Sequence, residues 1–208
     1  MKTLLTTLVI TLIAGTALGQ LVITGVVDGP LPGGIPKAVE LCAVQDIADL
    51  SAYGLGSANN GGGSDGVEFT FPADAVVEGQ FIYVATEDIE FANFFGFAPD
   101  YTSNAVSING DDAIELFLGD VVVDVFGDID VDGSGEPWEY ADGWAYRVDN
   151  TSDSDMFDLA DWFFSGPNAL DDETSNDTAA NPFPIGTWEF ESGVANEAQS
   201  LSQIKALF

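Results

Sequence analysis

The sequence predicts an all-β domain, an antiparallel β-sandwich, and three observations carry that prediction. Short runs rich in Val, Ile, Phe and Tyr recur between clusters of Gly, Asn, Asp and Pro, the alternation of strands with turns. Two of these runs, 113–118 and 121–126, are separated only by Gly119-Asp120, a two-residue connection that closes a tight hairpin. No stretch before about residue 195 carries sustained helical periodicity, so the alternating strands and helices of a parallel sheet are not expected.

Taken in order, the chain opens on what reads as an export leader, residues 1–19. Lys2 supplies the positive start, Leu4 to Ala14 a short apolar run, and Ala17-Leu18-Gly19 the small residues of a cleavage site before Gln20. The apolar run is too short to span a bilayer, and no Cys follows it to take a lipid. Secretion is therefore expected, with no transmembrane segment. Strands are expected over Leu21–Val27, Val39–Val44, Val67–Phe71, Phe81–Thr86, Ala113–Leu118 and Val121–Phe126. In the fifth, Ile114, Leu116 and Leu118 alternate with Glu115 and Phe117, which makes one face wholly apolar. Pro30, Pro32 and Pro36 with Gly29, Gly33 and Gly34 predict a loop after the first strand, and Ser57–Gly66 a second, glycine-rich one. The aromatic run Ile89–Phe97 fits either one helical turn before Pro99 or a loop packed over an open end of the sandwich. A single domain thus spans residues 20–190. Residues 191–208 form a distinct tail, in which Leu201, Ile204 and Leu207 have helical spacing.

Hydrophobic residues make up 46% of the chain, so this is no disordered acidic tail, although 35 Asp and Glu face only four Lys and Arg for a net charge of −31. Removing residues 1–19 takes away one of those Lys and no acid. Binding to nucleic acid or to an anionic membrane needs basic residues to displace counterions, and Lys37, Arg147 and Lys205 cannot make a basic patch. Charge of one sign also destabilises a compact chain unless cations screen it, through high ambient salt, bound divalent ions or both. Cys42, the single cysteine, forms no internal disulfide and reads as a small buried hydrophobe.

Calcium is the cofactor that the acids suggest. Asp128, Asp130 and Asp132 alternate, Gly133 follows, and Glu139 stands at the twelfth position counted from Asp128. Short carboxylates at positions one, three and five, a glycine for the sharp turn and a bidentate Glu at twelve is the ligand spacing of a calcium loop. Strand signals rather than helices flank it, so an EF-hand is excluded. A weaker alternative joins Glu40 to Asp111 and Asp112 of the Asn109-Gly110-Asp111-Asp112 turn, where Asn109 and Asp111 are better explained as turn formers bonded to the backbone. Trp138, Tyr140 and Trp144 beside the acidic loop form either a sugar- or protein-binding face or part of the core. Asn150 and Asn176 begin glycosylation sequons, relevant only to a eukaryotic secretory source.

The chain has no histidine, which removes the usual general base, the Ser-His-Asp arrangement and His-based zinc sites. No pair of acids stands out for carboxylate-only catalysis, and phosphoester hydrolysis lacks a free basic group beside its carboxylates. Arg147 reads as the partner of an acid, pinning the strand that holds Trp144 and Tyr146. An enzyme is therefore not expected.

Several segments together resemble the lamin-tail domain family, as found in secreted bacterial proteins. They are Lys37-Ala38-Val39-Glu40-Leu41, Asp49 to Leu55, Phe69-Thr70-Phe71-Pro72 and Gly79 with Ile82 to Ala85. They continue with Asn109 to Leu116, Val122 to Gly127, and Trp138-Glu139-Tyr140 with Gly143 to Arg147. The resemblance covers about residues 20–190 and implies an immunoglobulin-like sandwich serving as an accessory or surface module. Cys42 stands where the family pattern has an aromatic residue. The function expected is non-catalytic binding or adhesion, with a protein or glycan partner at the cell exterior. Two alternatives are a structural protein that assembles through edge strands and calcium, and an accessory protein of an extracellular nuclease or glycan-active enzyme.

Overall fold

A computed structural model describes residues 20–191. The expected leader, and all of the expected tail after Glu191, lie outside the described residues. Among the described residues ten strands form two sheets. The larger contains β1 (Leu21–Leu31), β2 (Ile35–Ala43), β5 (Phe81–Ala85), β6 (Tyr101–Thr102), β9 (Gly143–Arg147) and β10 (Trp162–Phe164), in the order β10-β9-β1-β2-β5-β6. The smaller contains β3 (Tyr53–Ala58), β4 (Phe69–Thr70), β7 (Ala113–Leu118) and β8 (Val121–Phe126), in the order β4-β3-β7-β8. Neighbouring strands run antiparallel except β5 and β6, which are parallel.

The main core lies between the sheets. Leu21, Ile23, Val39 and Leu41 of the larger sheet meet Leu55, Ile114, Leu116 and Phe126 of the smaller one. A second apolar layer covers the other face of the larger sheet, where Val22, Val27, Ala38 and Cys42 pack under α1 (Ile89–Phe95) and under Leu170, Phe183 and Trp188. Strands β1 and β2 are therefore buried on both faces, which explains why they read as nearly unbroken apolar runs. Thr24 is an extra residue in β1, because Ile23 opposes Leu41 while Gly25 opposes Glu40. This bulge re-phases the alternation, so that Val26 follows Ile23 into the main core.

The hairpin of β7 and β8 has the predicted ends. Leu118 departs from its expected place in the core: it lies beside the turn and is exposed. The loop expected after the first strand contracts to residues 32–34, because β1 runs on to Leu31 and β2 starts at Ile35. Gly33 and Gly34, both with positive φ, make that reversal. The aromatic run at 89–97 does form a short helix, α1, ended by left-handed Gly96. Strand β3 lies partly inside the expected glycine-rich loop, which begins only at Asn59. Gly56 explains why a strand here looks like a loop: a Cβ on it would stand 2.2 Å from the carbonyl oxygen of Gly66. The segment after β3 folds back across the strand, and only glycine leaves it room.

Candidate functional site

Both basic residues among the described residues, Lys37 and Arg147, are interior, at 8% and 2% exposure. Arg147, at the end of β9, points between the sheets. Its Nη2 donates to both carboxylate oxygens of Asp124 on β8 at 2.7 Å, its Nε to the Ile23 carbonyl and its Nη1 to the Ser152 carbonyl. The guanidinium lies 4.6 Å from the centre of the Trp162 ring. Asp124 also accepts from the backbone N–H groups of Ile23 and Ser154, so the pair is almost fully bonded and ties the two sheets together. Lys37 Nζ donates to Asp28 Oδ1 at 2.6 Å and to the Ile108 carbonyl. Burial still pushes the Asp28 carboxyl above its ordinary range, the Lys37 charge offsetting only part of it.

Glu40 lies on the other face of the larger sheet. Its Oε1 accepts from the Thr24 and Tyr146 hydroxyls and its Oε2 from the Gly186 N–H. Burial pushes its pKa up to about 7, against the pull of these donors and of the Tyr83 hydroxyl. The same Tyr146 oxygen accepts the N–H groups of Thr187 and Trp188. The network thus fastens residues 183–188 onto the sheet.

The two acidic groups singled out in the sequence are rearranged. Glu40 is occupied in the network just described, and Asp112 has other neighbours: its Oδ1 accepts from Asn60 N–H at 2.8 Å and its Oδ2 from Asn109 N–H at 2.9 Å. Asp111 instead meets the loop that begins at Asp128. Its carbonyl accepts from Gly133 N–H, its Oδ2 accepts from the Ser134 hydroxyl, and its Oδ1 is buried with no partner. Gly110 lets the turn sit this close, since a Cβ there would stand 2.1 Å from Ala141 Cα. Within the loop, Asp128 accepts from Asp130 N–H, Asp132 from Ser134 N–H and Glu139 from Gly135 N–H. These are local turn bonds. Among the described residues no three acidic or cysteine side chains are grouped to hold a metal ion. Each of these bonds engages one oxygen of its carboxylate, so the turns are compatible with a counter-ion at the loop, although the acids are not gathered into a preformed calcium shell.

Trp138 and Tyr140 are core residues, packed edge-on against Phe126. Trp144 packs against Phe183. Of the three aromatic residues beside the acidic loop, Trp138 and Tyr140 are therefore internal, while Trp144 is partly buried.

An opening of about 650 Å³ lies along β8. Val121, Val122, Ile129, Met156 and Phe157 supply its apolar lining, and Glu115, Asp120, Asp128 and Asp155 its carboxyls. Val121 and Met156 are 66% and 74% exposed. Glu115 is the reverse. It stands on the outer face of β7 between Gly56 and Val125, is 2% exposed, and its Oε2 has no hydrogen-bond partner. Burial pushes its carboxyl above the ordinary range, and the nearby Asp65 charge adds to this against a hydrogen bond from Ser64. In the sequence Glu115 reads as the solvent side of an alternating strand. The signal for its burial was Phe117, two residues on and on the same face, which also needs cover. Comparison of the chain with family models, with curated proteins and with solved structures finds no match.

Proposed function

We propose that this chain is a secreted, non-catalytic binding or adhesion module of lamin-tail, immunoglobulin-like type, which engages cationic partners, protein or glycan-borne, at the cell exterior. The observation that supports this reading is the interior placement of Lys37 and Arg147. With both cations bonded inside, the described surface presents acids without any basic neighbours, and a surface of one sign attracts partners of the other. The absence of histidine from the chain adds to the case for recognition over catalysis. The decisive experiment compares the purified chain's binding to basic and to acidic proteins at physiological salt, beside turnover assays on polysaccharide and DNA. Preference for the basic set without turnover is the expected result; turnover of either polymer, or no preference by charge, overturns the reading.

Calcium belongs to this proposal as a counter-ion of the acidic surface that gathers at the loop holding Asp128, Asp130, Asp132 and Glu139. Thermal melting in EDTA and in millimolar Ca²⁺, at fixed ionic strength, is expected to show a higher midpoint with calcium, since a ligand bound only by the native state stabilises it. Asp130→Ala should remove that shift. Equal midpoints would withdraw calcium while leaving the binding role in place.

A further inference from the structure

We infer that the groove along β8 is a docking surface for an extended, basic-and-apolar segment of a partner protein, one arginine of which ends on Glu115. The inference rests on the binding role proposed above and names its site and partner chemistry. Three independent features of the groove converge on it.

The first is the unpartnered Oε2 of Glu115, an acceptor that is removed from water yet lines an opening. A buried acceptor without a donor is destabilising until something supplies one. An incoming donor that is itself cationic satisfies the hydrogen bond and the charge together. A guanidinium fits this better than an ammonium, because it gives up its hydration more readily and presents a planar fork to a carboxylate.

The second is the mixture of surfaces around that carboxylate. Val121, Val122 and Met156 offer an apolar track on which the methylene stem of an arginine and an adjacent apolar side chain can lie. Asp120, Asp128 and Asp155 add three more negative charges to the lining, with no basic residue among the groove's walls. Complementarity therefore selects a partner that is apolar and positive at once, and rejects an acidic or purely apolar one.

The third is the position of β8 at the edge of the order β4-β3-β7-β8. Its β7 side is paired from Val121 to Phe126, and no described strand pairs with its other side. An extended peptide laid along an edge strand alternates its side chains across the sheet, which is how apolar and basic residues in alternation would meet the valines and the carboxylates.

The test uses the full chain and a short synthetic peptide of alternating valine and arginine, with a second peptide in which citrulline replaces arginine, titrated at physiological salt. Binding of the arginine peptide, at least about ten-fold weaker for the citrulline peptide, is the expected result. Glu115→Gln should weaken the arginine peptide about ten-fold or more, and so should Val121→Lys, which alters only an exposed position. Asp171→Asn, an exposed acid elsewhere, should leave binding unchanged. Equal losses in all three variants would show diffuse attraction to an acidic surface and overturn the docking site while sparing the general reading. No preference for the arginine peptide over an acidic one would overturn both. Spermidine competing as strongly per charge as the peptide, or self-association abolished by Val121→Lys, would assign the groove to a small polyamine or to a second copy and overturn the inference.

Discussion

Glu40 shows what one buried acid contributes when its neighbours are neutral donors. Thr24, Tyr83, Tyr146 and the Gly186 N–H surround it, yet burial dominates and its pKa rises to about 7. The sign follows directly. The native state holds the proton more tightly than an unfolded chain with an ordinary Glu, so the stability from this group is full below about pH 4.5. It is lost as pH rises towards 7 and does not change beyond. Urea unfolding at pH 5 and pH 8 should show wild type losing on the order of 2–3 kcal/mol more than Glu40→Gln over that interval. A stability difference between the two that is the same at both pH values would refute this. At this scale the sequence was only partly readable. Arg147 was expected to pair with an acid because it is the lone arginine, but nothing local marks Asp124 among 35 acids. The pairing depends on how two sheets face one another, which is long-range information. Glu115 was obscured for a related reason, since its cover comes from the segment that folds back over Gly56.

At the scale of elements, residues 183–188 behave as a strap held by one hydroxyl. Tyr146 accepts from Thr187 and Trp188 and donates to Glu40. Tyr146→Phe removes all three bonds while keeping the ring against Phe183. Faster amide hydrogen exchange at residues 186–188 is expected, with the β7–β8 hairpin unchanged. Equal protection in the variant and in wild type would mean that packing of Phe183 and Trp188 alone secures the strap. The β7–β8 hairpin was legible to the residue, because a two-residue connection and strong alternation are both local signals. Strand β3 was not. Its glycines, required by the backbone that crosses it, have the composition of a loop. The acidic loop was legible as a sequence pattern, but whether its carboxylates converge depends on how the backbone turns orient them, and at Asp128 and Asp132 a turn holds one carboxylate oxygen of each.

For the molecule as a whole, the charge distribution matters more than any pair. Surface ion pairs are weakened by salt, whereas repulsion among like charges is relieved by it. Among the described residues both salt bridges are buried, so added salt has only repulsion to act on. The melting midpoint should therefore climb by several degrees between about 0.05 and 1 M NaCl in EDTA. A flat or falling midpoint would contradict this. Composition made the net charge legible at once, but not that Lys37 and Arg147 are withdrawn from the surface, since an isolated basic residue in a sequence looks the same inside or out.

That withdrawal affects how copies of the chain meet one another. Neither described cation is available to reach across to a neighbour's carboxylate, so two copies in close approach offer each other like charge wherever their described surfaces touch. Crowded at high concentration, they should behave as mutually repelling colloids and stay dispersed until a counter-ion or a basic protein bridges them. Under the proposed binding role, sorting by sign would then precede sorting by shape: the molecule would repel its own kind and hold the neighbours that carry what its surface lacks.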